Sequence, residues 1–200
     1  YAQGSISYSE GINDDINKFV WSGQDWDPTT PVIETLRDYA RLFIGPQYPQ
    51  TCSDGILSLE KTLKGPLLTN TSVDSTLQKW QQMEKEASPQ VLSNFRFQMG
   101  LLRAYHDAYV HSRLVYENAL ERSAKDALMH AKNTGAVQAI DNATGILEQA
   151  VQKPIRPELR QRCFALEDSV YHSIGSKLTV KKPQDAMAGR GNFMDSIELQ

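Results

Sequence analysis

SPQVLSNFRFQMGLLRAYHDAYVHSRLVYENALERSAKDALMHAKNTG, residues 88–135, is the stretch whose reading decides the fold. Ser88 can cap a helix and Pro89 suits its first turn. No further proline follows before Pro154, and Gly100 is the only interior glycine before Gly135. The pattern predicts one very long helix from Ser88 to Lys132, roughly 65 Å at about 1.5 Å per residue. Phe95, Met99, Leu102, Tyr105, Tyr109, Tyr116 and Leu120 fall at nearly heptad spacing, an apolar seam that other helices must cover. Polar residues become denser after Glu117, so the far end is expected to project.

Working outward, the flanks read as further helices. One begins near Asn13 or Asp14, carries Ile16, Phe19 and Val20 on one face, and stops in the polar loop Ser22 to Pro28. Thr30 is the expected cap of the next, with Pro31 at its first position, Glu34 complementing its dipole, and Val32, Leu36, Tyr39, Ala40 and Phe43 as its buried stripe. A third runs from about Thr51 to Leu63. A fourth is capped by Ser72 and buries Val73, Leu77, Trp80 and Met83. Beyond the long helix, segments at about Ala136 to Gln152 and Pro157 to Ser176 present stripes of Ile140, Leu147 and Val151, then Leu159, Phe164, Leu166, Val170 and Ile174. Only Ser5 to Tyr8 alternates like a strand, and it has no partner within the chain. The glycine-rich end is read as a flexible tail. The fold class is therefore all-α: a multi-helix bundle with one very long helix and a single strand ahead of it, and helix should dominate the circular dichroism.

Composition removes several functions. The chain has 200 residues, 40% apolar, with 21 basic and 24 acidic side chains and a net charge of -3. Electrostatic capture of nucleic acid needs a basic excess or stripe, and neither occurs. No apolar run approaches the roughly 20 residues of a membrane span. Cys52 and Cys163 are expected as buried free thiols. The sequons Asn70-Thr71-Ser72 and Asn142-Ala143-Thr144 do not decide localisation.

Three constellations could carry chemistry. Asp107 and His111, Asp126 and His130, and Asp168 and His172 repeat an Asp-xxx-His spacing that could orient metal-ligating imidazoles. Ordinary helical ion pairs explain that spacing, so neither a metal nor another cofactor is expected. Most aromatics sit at helical spacing and read as core, whereas Trp26, between Asp25 and Asp27, is free to line a site. The densest set is Tyr8-Ser9-Glu10-Gly11-Ile12-Asn13-Asp14-Asp15-Ile16-Asn17-Lys18, between the strand candidate and the first helix. Asn13, Asp14, Asp15 and Lys18 suit a helix entry. Glu10 has no capping duty and is the best acid/base candidate.

These residues resemble the Tyr-Ser-Glu-Gly, acidic pair, Asn-Lys signature near the end of the catalytic barrel in bacterial glycoside hydrolase-like proteins. The barrels in question are of the α-glucuronidase and hexosaminidase type, followed by a helical C-terminal region. The resemblance implies that Tyr1 to Tyr8 is the last strand, and Asn13 to Ser22 the last helix, of an α/β barrel truncated in this chain. Residues 1–27 would then close the barrel, 28–179 form the helical domain and 180–200 the tail. It further implies an extracellular or periplasmic, sugar-active parent, with an upstream barrel domain as partner and carbohydrate as ligand. Glu10 would be catalytic, and Tyr8, Asn13, Asp14 and Trp26 would bind substrate. Glycoside hydrolysis usually needs a second carboxylate, which would lie upstream of Tyr1. The rival expectation is a non-catalytic helical interaction module whose long helix presents a partner-binding face.

Overall fold

The computed structural model describes residues 14–175 together with Gly4, Ile6 and Tyr8. These residues are all-helical, with 81% of them in helix. Ten α-helices follow in order: α1 Asp14–Trp26, α2 Val32–Phe43, α3 Pro49–Lys61, α4 Ser72–Glu86, α5 Pro89–Leu92, α6 Phe95–Met129, α7 Ala131–Thr134, α8 Ala136–Leu147, α9 Gln149–Gln152 and α10 Pro157–Ile174. No strand occurs among the described residues. Of the expected strand, Ile6 and Tyr8 lie in irregular, exposed backbone, and the rest of it lies outside the described residues. A lone strand has no ladder to satisfy its amides and carbonyls, so nothing within these helices would hold it extended.

The single helix expected from Ser88 to Lys132 is broken into three: α5, α6 and α7. Ser88 caps the short α5 by accepting from the Val91 amide, and a new helix then starts at Asn94, whose side chain accepts from the Arg96 amide at 3.0 Å. The Asn94 amide group also donates to the Phe43 carbonyl at 2.5 Å, tying the break to the end of α2. This second cap restarts the helix, and a further turn at His130 ends it. The uninterrupted part, α6, has 35 residues and spans roughly 52 Å.

Along α6, Leu102, Tyr105 and Tyr109 are buried as the spacing predicts, together with Phe97, Leu101, Ala104 and Ala108. Phe95, Met99, Tyr116 and Leu120 are only half-buried. The N-terminal half of α6 is the axis of the core. α4 crosses it with Val73, Leu77, Trp80 and Met83, and α10 lies along it with Leu159, Cys163, Leu166 and Val170. Trp80 is 1% exposed and donates its indole N–H to the Gly55 carbonyl at 3.2 Å. Its ring occupies the space beside Gly100, where a Cβ would come within 2.2 Å of it, so the glycine sets how closely α4 approaches α6.

Several boundaries differ from the sequence reading. α1 continues through Ser22 to Trp26, because Gly23 lies inside it against the Thr35 side chain. Pro31 is the residue flanking α2, and the Thr30 hydroxyl donates to Asp27 at 3.0 Å instead of capping. Val32 lies outside the buried stripe, and Ile174, at the end of α10, is likewise exposed. Ser72 is the first residue of α4, and Asn70 holds the turn before it. The Asn70 carbonyl oxygen accepts from the Ser72 amide and hydroxyl, and its amide group donates to the carbonyls of Lys61, Thr62 and Lys64 at 3.0–3.2 Å. The largest misreading is α8, where Ile140, Leu147 and, in α9, Val151 face solvent while Ala139 and Ala143 are buried. Small residues let α8 approach the distal half of α6 closely, and the larger ones are left on the outside. Cys52 and Cys163 are buried free thiols, and burial raises the Cys52 pKa to about 12.

Candidate functional site

The entry of α1 holds the acidic end of the motif. The Asp14 carboxylate pairs with Lys18 at 2.7 Å, one turn along the same helix. Asp15 points inward, accepting from the Tyr39 hydroxyl at 2.7 Å and from Arg96 Nε at 2.6 Å. The Arg96 guanidinium lies 4.3 Å from the centre of the Phe43 ring and 4.4 Å from that of Phe95, and Phe19 stacks edge-on against Tyr39 and Phe43. Burial, reinforced by the hydrogen bond to Asp15, raises the Tyr39 pKa well above the ordinary phenol value. Asp15 is thus committed to joining α1, α2 and α6, and the helix-entry reading of Asp15 and Lys18 stands.

The expected site residues are not all assembled. Glu10 and Asn13 lie outside the described residues, and Tyr8 is exposed. Asp14 and Trp26 occupy opposite ends of α1, about 18 Å apart along a helix of 13 residues. Trp26 is 91% exposed and is the last residue of that helix, not part of a loop. The loop begins at Asp27, whose carboxylate accepts from the Thr29 amide and hydroxyl and from the Thr30 hydroxyl. These bonds hold the Asp27 pKa below its usual value.

Sequence reasoning missed an open groove of about 340 Å³ between α1, α2 and α3. Its walls include Ile16, Val20, Trp21 and Leu63, and its polar groups include Asn17, Glu60 and Arg103. That volume is at the lower end of small-molecule sites, which are mostly apolar with a few convergent polar groups. Residues from four helices form it, Arg103 coming from α6, so no local motif announces it. The visible signal is that Trp21 and Leu63 sit at helical spacing yet remain exposed.

Arg103 is fixed behind the groove by Asp107, Nε to Oδ1 2.8 Å, and Asp107 also accepts from the Thr62 hydroxyl. Burial opposes ionisation of Asp107, but the adjacent His106, the Arg103 charge and the Thr62 hydrogen bond outweigh it and hold the pKa below the ordinary 3.8. A depressed folded-state value contributes stability above the unfolded-state pKa, and that contribution is lost as pH falls through the folded-state value. Asp107→Asn should therefore flatten the acid limb of a stability-versus-pH curve below about pH 4. An acid limb as steep as that of the unaltered protein would refute the assignment.

The three Asp-xxx-His spacings do not build metal ligation. His130 Nδ1 lies 2.7 Å from the backbone carbonyl of Asp126, and His172 Nδ1 lies 2.6 Å from that of Asp168. Asp107 is taken by Arg103 and Thr62. Among the described residues, no group of three His, Cys, Asp or Glu side chains could hold a metal ion. No described helix is long and apolar enough to cross a membrane.

No family model matches the chain, and neither does any curated protein or solved structure.

Proposed function

We propose that this chain is part of a carbohydrate-active, glycoside hydrolase-like protein. In this reading it closes an α/β barrel at its N-terminal end and supplies a helical accessory domain behind it. The observation that carries the reading is the groove, whose lining includes Ile16 and Asn17, the C-terminal part of the Tyr8 to Lys18 motif itself. An indole face beside an amide, a carboxylate and a guanidinium has the chemistry of a sugar subsite: C–H groups stack on the ring while hydroxyls bond the polar groups. The Asp15 bonds to Tyr39 and Arg96 give the motif a firm support, since they fix the first turn of α1 against α2 and α6.

Glu10 is the acid/base group in this reading, Tyr8, Asn13 and Asp14 bind sugar beside it, and Trp26 extends the binding surface. The second carboxylate comes from the barrel, and the parent protein is extracellular or periplasmic. In that protein, Glu10→Gln should keep the fold and lower turnover of an aryl glucuronide or N-acetylhexosaminide by about 10² or more. That loss is roughly 2.7 kcal/mol of transition-state stabilisation. A change confined to the Michaelis constant would make Glu10 a hydroxyl ligand instead. Unchanged kinetics, sugar affinity and melting temperature would return the motif to a structural junction.

A further inference from the structure

The distal half of α6 and the helix that folds back along it, α8, form an arm whose outer surface serves no purpose in the sugar reading. α8 uses its alanine face on α6, with Ala139 and Ala143 buried. The chain stays right-handed through Glu148 into α9, so one helical surface runs from Ala136 to Gln152. Val137, Ile140, Thr144, Leu147 and Val151 recur on it at spacings of three and four, which is a coiled-coil seam. No described residue covers the seam: Val137 is 75% exposed, Ile140 57%, Leu147 49% and Val151 84%.

The charges beside the seam say what fits it. Between Lys132 and Lys153 the only charged residues are Asp141 and Glu148, seven positions apart and so on the same flank. Both are exposed, and among the described residues neither has a cationic partner, whereas Lys125 on α6 already pairs with Glu121. A second copy fits poorly. Antiparallel pairing of two such helices would set Asp141 of one against Glu148 of the other, twice, and like charges facing across a seam destabilise it. A parallel pair would set both acids against the alanine flank, which offers no cation.

We propose that the outer face of α8 and α9 is a docking surface for an amphipathic helix of another protein, one with apolar residues at three-four spacing and lysine or arginine along the facing flank. The apolar seam supplies the contact and the acidic flank selects the partner and its register. The surface shares no residue with the groove.

The test uses the full chain and two synthetic helical peptides with leucine at heptad positions a and d and either lysine or glutamate at e and g. Fluorescence anisotropy should show the lysine peptide binding at least about tenfold tighter than the glutamate peptide at low salt, with the gap narrowing as salt is added. Asp141→Lys with Glu148→Lys should reverse the preference. Ile140→Asp should weaken binding about tenfold or more while leaving the helical dichroism and melting temperature unchanged. The proposal is overturned if neither peptide binds, or if both bind equally to the chain and to the charge-reversed variant. It is also overturned if sedimentation shows a dimer that Ile140→Asp dissociates, an outcome that assigns the seam to a second copy.

Discussion

Leu102→Asp should cost this protein several kcal/mol of stability, a large fraction of the roughly 5–15 kcal/mol that holds an ordinary domain folded. Leu102 is 1% exposed on α6, so the substitution removes a buried side chain and places a carboxylate inside the core. Glu121→Ala, on the exposed distal half of the same helix, should leave the urea midpoint where it is. It deletes only the solvent-facing partner of Lys125. Urea titration followed by dichroism separates the two, and equal, small effects would place the core seam on another face of α6.

Gly100→Ala is expected to be costly, because among the described glycines Gly100 has the closest Cβ approach to a neighbour. The new Cβ would meet the Trp80 ring at 2.2, 2.6 and 2.9 Å, and that ring is tied by its indole N–H to the Gly55 carbonyl and packed against Phe97. Overpacking of this kind typically costs about 1–3 kcal/mol, and more where the neighbour cannot move. Trp80→Phe should also destabilise the protein, but in the Gly100→Ala background it should cost far less, because the smaller ring vacates the space that the methyl needs. A double-mutant cycle reads this as a coupling of about 1 kcal/mol or more. Gly145→Ala supplies the contrast: nothing lies within 4 Å of its Cβ, and a helical alanine there should raise the melting temperature. Additive effects at Gly100 and Trp80 would show that the two helices do not meet there.

How far the sequence reveals the molecule varies along it. Caps and breakers near Pro49, Ser72, Ser88 and Pro157 identify helices because they act within one turn, and the seam residues Leu102, Tyr105 and Tyr109 identify the core because α4 and α10 cover them. Asn94 illustrates what local pattern does not settle. Its cap on the Arg96 amide is local chemistry that an asparagine can offer at many positions, whereas the bond that ties the break in place, to the Phe43 carbonyl, joins residues 51 positions apart. α8 illustrates a second limit: its large apolar residues look like a buried stripe, yet the alanines beside them are what α6 accepts. Of the candidate site, the structural duties of Asp15 and Lys18 follow from helix-entry chemistry. The groove does not, because α1, α2, α3 and α6 create it only when packed.

The alanine-only footing of α8 also bears on the order in which the molecule opens. Ala139 and Ala143 are its buried side chains, against Leu159, Cys163, Leu166 and Val170 for α10, so far less apolar surface holds α8 down. Regions with few buried apolar contacts detach in partial unfolding events of low free energy while the remainder stays folded. Backbone amides of α8 should therefore trade hydrogen with solvent early, and those of α6 around Leu101 and Ala108 late. A segment that detaches this readily spends part of any binding energy on becoming ordered, which suits contacts that must be released as well as made.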